Sequence, residues 1–189
     1  MKKLITVITA FILLTAFSVN GIWKNDDPHS QLGFTVKHLG IADISGTFND
    51  FDAEITSSKT DFSDAVVELN AKINSIDTRV DARDNHLKSA DFFDAAKFPT
   101  LNFKSTSIKK SGKNKYKLTG NLTLHGITKP VTMDLQYKGS TVNPMSKKPT
   151  AGFQVTGTIN RSDFNIGKGF PAPMISNEVQ IKADGEFFQ

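Results

Sequence analysis

Tyr116-Lys117-Leu118-Thr119-Gly120-Asn121-Leu122-Thr123-Leu124-His125 is the stretch on which the fold turns. Tyr116, Leu118, Gly120, Leu122 and Leu124 alternate with Lys117, Thr119, Asn121, Thr123 and His125. A period of two sends successive side chains to opposite faces of an extended chain, so one face is apolar and the other wet. The same rhythm continues in both directions. Leu32, Phe34, Val36 and His38 share a face upstream. Gly46 and Phe48 open a second strand, and Phe51, Ala53 and Ile55 continue it one residue out of phase, which predicts a bulge near Asn49-Asp50. Val67, Leu69, Ala71 and Ile73 form a third, and Leu101 with Phe103 begins a fourth. Downstream come Val131 to Tyr137, Phe153 to Ile159, and Val179 to Phe187. The expectation is an all-β chain of eight antiparallel strands. Closure into a barrel is favoured over a sandwich because it removes exposed edges. An eight-stranded barrel can fill its interior with side chains or hold one small ligand.

One segment breaks the rhythm. From Asp81 to Phe98 the alternation fails, and Asp84–Lys88 and Ser89–Ala96 read as one or two short helices, with Ser89 or Asp91 as the cap of the second where there are two. Phe92 and Phe93 are adjacent, so one is expected in the barrel mouth and the other on its rim. Gly139 to Pro149 reads as a polar surface loop, and Asn165 to Pro173 as an irregular connection before the last strand.

Composition narrows the function. The chain has 189 residues, 23 Lys and Arg against 19 Asp and Glu, and no Cys. Disulfides and thiolate chemistry are therefore excluded. A net charge of +4 is too small for a nucleic-acid footprint. Met1-Lys2-Lys3, the apolar run Leu4 to Val19 and the small residues around Ala16-Phe17-Ser18 read as a secretory signal over residues 1–18. The run is shorter than the roughly 20 residues that span a bilayer. The expected product is an exported, periplasmic chain with a single barrel domain over residues 19–189.

The four histidines, His29, His38, His86 and His125, form no H-x-H or H-x-x-x-H pair, and no metal or cofactor motif stands out. No G-x-S-x-G occurs. His38 lies on the apolar face at a strand end and reads either as a polar contact to a ligand or as a histidine bonded to backbone. His125 reads as a turn residue bonded to backbone. The apolar faces carry many of the 15 Phe, and strongly polar groups are missing from them. A barrel packed with long rings can leave an elongated apolar cavity, suited to a long aliphatic ligand.

Several motifs together resemble the YceI-like family of polyisoprenoid-binding proteins. They are Asp27-Pro28-His29-Ser30, Phe34-Thr35-Val36-Lys37-His38-Leu39-Gly40, Gly46-Thr47-Phe48, Ser75-Ile76-Asp77-Thr78, Arg83-Asp84-Asn85-His86-Leu87, Ser89-Ala90-Asp91-Phe92-Phe93-Asp94, Gly120 to Val131, and Arg161-Ser162-Asp163-Phe164. The resemblance implies an exported lipocalin-like barrel that binds or carries a long isoprenoid or fatty chain and does no catalysis. Two positions depart from the family pattern. Asn25 replaces an apolar residue, which sets the start of the first strand later. Asn165 replaces a glycine, and Asn tolerates positive φ.

The ligand's chain is expected among Phe34, Val36, Phe48, Leu69, Ile73, Phe103, Leu122, Leu124 and Phe153. Phe92 and Phe93 would constrict one end, and His38 and Arg83 would meet a polar head. Transient membrane contact is compatible with this reading. So is a homodimer, for which Val66 and Ile76 are the apolar surface candidates. Two rivals stand beside it: an enzyme acting on a small hydrophobic substrate, with His38 as its titratable group, and a stress-related interaction protein whose barrel is fully packed.

Overall fold

The alternation in the founding stretch is obeyed residue by residue. In Lys115–Leu124, Tyr116, Leu118, Gly120, Leu122 and Leu124 are buried, while Lys115, Lys117 and Asn121 are exposed. The computed structural model describes residues 21–189, so the expected signal at residues 1–18 lies outside the described residues. The elements run β1 (Gly21–His38), β2 (Ala42–Phe48), β3 (Phe51–Ser57), β4 (Val66–Lys72), β5 (Ile76–Asp77), α1 (Asp81–Lys88), β6 (Thr100–Gly112), β7 (Lys115–Leu124), β8 (Ile127–Val142), β9 (Pro149–Asn160) and β10 (Ile175–Phe188). The long strands pair antiparallel with their sequence neighbours, and β10 returns to β1, with Phe34 opposite Ile181. β2 and β3 are one barrel strand broken at Asn49-Asp50, since both pair with β1, at Leu32↔Phe48 and Lys24↔Glu54. β5 is a two-residue bridge on β2. The result is a closed eight-stranded antiparallel barrel with one short helix, as the alternation and the resemblance led one to expect.

Four local expectations are corrected. β1 starts at Gly21, earlier than Asn25 suggested. The Asn25 side chain accepts from the Ala53 N–H at 2.7 Å and donates to the Phe51 carbonyl at 3.4 Å. An amide that bonds like backbone lets a buried polar residue sit in the strand. The helical insertion is one helix, begun at Asp81, and Ser89–Ala96 is a run of turns. Ser89 closes α1 by donating its hydroxyl to the His86 carbonyl at 2.7 Å, and Asp94 takes φ 47, which no helix accommodates. Ile76 is 3% exposed and offers no surface, whereas Val66 is 43% exposed. β8 also runs on to Val142, which shortens the expected loop to residues 143–148. Asn165 does adopt φ 58, so the glycine it replaces is not needed.

The barrel's two ends differ. At one, the β3–β4 loop drives Phe62 inward. Its ring meets Phe153 at 4.8 Å, Tyr137 at 4.9 Å and Trp23 at 5.4 Å, and Phe153 meets Phe187 at 5.5 Å. The Tyr116 hydroxyl donates to the Asp61 carbonyl in the same loop. Phe62 holds φ 58, a strained conformation for a bulky residue, and its burial to 1% exposure offsets that strain.

Asp64 anchors this plug. Burial alone would raise its pKa, but hydrogen bonds from the Ser57 and Ser58 hydroxyls and the Ser58 N–H lower it to about 2. A carboxyl whose folded pKa is depressed contributes stability above its unfolded pKa and loses it as pH falls through the folded one. Urea midpoints should therefore fall between pH 3.8 and about 2. Asp64→Asn should flatten that part of the curve.

Candidate functional site: an apolar cavity at the open end

The other half of the interior is not filled. A cavity of about 440 Å³ lies between the plug and the open end. Its volume falls within the range of pockets that bury small ligands, about 300–1,000 Å³. The strand alternation builds the wall. β1 supplies Phe34 and Val36, β4 Leu69, β6 Phe103, β7 Leu122 and Leu124, and β10 Val179 and Ile181. Each is an inward position of its strand. Neighbouring strands bring Phe103 directly opposite Leu122.

Eleven of the residues expected at the site line this cavity: Phe34, Val36, His38, Phe48, Leu69, Arg83, Phe92, Phe93, Phe103, Leu122 and Leu124. Ile73 and Phe153 do not. Ile73 falls where the chain leaves β4 for a 3₁₀ turn, and its N–H bonds the Pro99 carbonyl at 2.9 Å at the foot of the insertion. Phe153 has the inward parity but belongs to the plug. Phe92 and Phe93 do not divide between mouth and rim, for both line the cavity. Phe92 stacks on Phe170 at 4.8 Å, while Phe93 stands edge-on to Phe48 at 6.0 Å.

The mouth has a second lip that the sequence reading left as a loop. Residues 161–175 fold over it as a strap, bringing Arg161, Ile166, Phe170, Met174 and Ile175 to the wall. Arg161 is only 8% exposed. Its five N–H groups are all taken by backbone carbonyls: Nε by Ser176, Nη1 by Ile166 and Gly167, Nη2 by Phe170 and Ile175. The side chain thus draws the strap around itself. Gly167 adopts φ 60, and a Cβ there would stand 2.8 Å from the Phe92 ring, so only glycine lets strap and insertion meet this closely. Burial pushes the guanidinium below the ordinary arginine value.

Polar groups on the wall are few and share a character. They include Arg83, Arg161, His38 and His86, and no carboxylate among the described residues. Arg83 donates from Nε to the Thr78 hydroxyl at 2.7 Å and from Nη2 to the Thr78 carbonyl at 2.6 Å. The same hydroxyl donates on to buried Asp84. His38 is exposed at the lip. His125 has no part in the wall. Its Nδ1 donates to the Phe164 carbonyl at 3.0 Å, and it bonds backbone as its turn position suggested. On the outer surface, away from the cavity, Asp26, His29 and Glu186 gather within 4.8 Å of one another.

A closed barrel, stopped with rings at one end and opening through an apolar chamber at the other, is a barrel for binding hydrophobic ligands. The YceI-like domain matches residues 23–187, and the chain belongs to that family. It is 41% identical over 187 residues to Protein YceI of Salmonella arizonae, covering 97% of each chain. It is 39% identical over 189 residues to a UPF0312 protein of Pectobacterium carotovorum, covering 98% of this chain and 97% of the other. Among solved structures it is similar to Burkholderia cenocepacia BcnA, with a TM-score of 0.78 and 26% identity over 86% of this chain and 98% of that one. It also shares its fold with a polyisoprenoid-binding domain from Saccharophagus degradans, with a TM-score of 0.69 and 14% identity over 88% of this chain and 97% of that one.

Proposed function

We propose that the chain binds or carries a long-chain apolar lipid, of isoprenoid or fatty type, in the periplasm. The single observation that carries this reading is the cavity. Its wall is aliphatic and aromatic from plug to mouth, and its few polar groups come from the insertion, the strap and the strand ends. Such a chamber suits a chain better than a sugar or nucleotide, because each buried CH₂ contributes about 0.8 kcal/mol without needing a polar partner. The polar groups near the mouth, Arg83 and His38, suit the polar head of such a ligand. The basic n-region and short apolar run at the N-terminus support export. The unfilled interior speaks against the fully packed rival.

Native mass spectrometry of the protein purified from its own compartment tests the proposal. The expected spectrum carries one long-chain adduct per chain. A bare mass that stays bare after incubation with an isoprenoid alcohol would turn the reading to the packed interaction protein.

A further inference from the structure

Leu39 sits in a costly conformation at the open end, and its exposed side chain gains no burial to offset the cost. Eight non-glycine residues among those described have positive φ, and only Leu39 and Phe62 of these are apolar. Phe62 is 1% exposed, whereas Leu39 is 55% exposed. Leu39 (φ 52) and Gly40 (φ 73) are consecutive left-handed residues at the tip of the β1–β2 hairpin. Asn-Gly is the pair this arrangement prefers. An exposed leucine here is therefore unfavourable twice, by conformation and by hydration.

Its surroundings say what it faces. Ile41, beside it, is 85% exposed. The Leu39 N–H donates to the Met174 carbonyl at 3.0 Å, which ties the hairpin tip to the strap. Met174 is 42% exposed and also lines the cavity, so the outer patch meets the rim of the apolar chamber at this residue. The strap approaches through exposed Pro171, Ala172 and Pro173. Few charges stand nearby: Lys37 is paired with Asp43 at 2.9 Å, His86 lies beside Asp91 at 3.2 Å, and Lys168 on the strap has no ion pair among the described residues.

We propose that Leu39, Ile41 and Met174 form a contact that inserts into the surface of a lipid bilayer, placing the cavity mouth against the acyl region. This rests on the lipid-binding reading above and adds where the lipid passes. The bilayer is the occupant because the patch is continuous with the opening through which an apolar chain must move. The side chains that insert are apolar and Lys168 adds only one unpaired charge beside them, so the attachment needs no anionic lipid and resists salt.

The test is a Leu39→Asn/Ile41→Ser chain compared with the parent by flotation on phosphatidylcholine vesicles, and by the transfer rate of a pyrene-labelled fatty acid out of them. Leu39→Asn installs the residue the turn prefers, so the melting temperature should hold or rise. Vesicle binding and transfer rate should fall about tenfold or more, since two apolar side chains lose their insertion. Equilibrium uptake of the same probe in vesicle-free solution should stay within about twofold, because neither side chain lines the cavity. Raising the salt concentration should leave flotation of the parent unchanged. Equal flotation and transfer by the two chains would overturn the proposal, as would release of the parent by salt. A parent that dimerises through this patch while floating no better than the variant would assign it to a second copy instead. Failure of the parent to take up the probe in solution would count against the cavity reading alone, since flotation reports the rim independently.

Discussion

A Leu122→Trp chain is expected to bind a long-chain isoprenoid alcohol about a hundredfold more weakly than the parent and to keep its near- and far-ultraviolet circular dichroism. Leu122 lies on the cavity wall opposite Phe103. The larger ring has open space ahead of it, so it projects into the chamber instead of straining a filled core. Displacing about four methylenes of the ligand forfeits about 3 kcal/mol, which is about a hundredfold in affinity. Isothermal titration reads the change directly. Phe153→Leu is the companion. It thins the plug and should lower stability by about 1–2 kcal/mol while affinity stays within about twofold. Undiminished affinity in a folded Leu122→Trp chain would remove the ligand from this wall.

Arg161→Met should loosen the strap and lower stability by about 2–4 kcal/mol, because five backbone carbonyls lose one shared charged donor. The loss falls short of five full hydrogen bonds because carbonyls near the surface regain water. Urea denaturation gives the stability. Hydrogen exchange gives its location, with faster exchange expected across residues 165–175 and little change in β6 and β7. A bound lipid should also leave faster, since Phe170 and Ile175 no longer hold their places on the lip.

The strands were legible because half-burial leaves a period of two, and the chain keeps it in strand after strand from Leu32 to Phe187, outside the Asp81–Phe98 insertion and the loops. Parity names the face a residue occupies but says nothing of its depth. That is why Phe153 and Leu122, equally inward, end in different places, one in the plug and one on the cavity wall. Ile73 misled for a related reason: the rhythm runs one residue past the point where the backbone turns into 3₁₀ geometry. The strap left little trace because its logic is tertiary. Arg161 gathers carbonyls from five residues, and carbonyls carry no residue-type signature. One clue was present: an arginine between Ile159 and Phe164, a charge just past an apolar strand face, calls for buried partners. Phe170 gave a weaker one, as a ring set between Gly167-Lys168-Gly169 and Pro171-Ala172-Pro173.

Phe62 and its ring neighbours make the chamber a cul-de-sac. A ligand in a tube open at both ends can be pushed through by its successor. Here the tail of the proposed lipid would go in first and come out last, and the same doorway would serve arrival and departure. A newcomer cannot enter while the resident remains. Exchange must pass through the vacant barrel, and its rate should not change with the concentration of the waiting lipid. A cargo longer than the chamber leaves its surplus outside the doorway, within reach of whatever receives it.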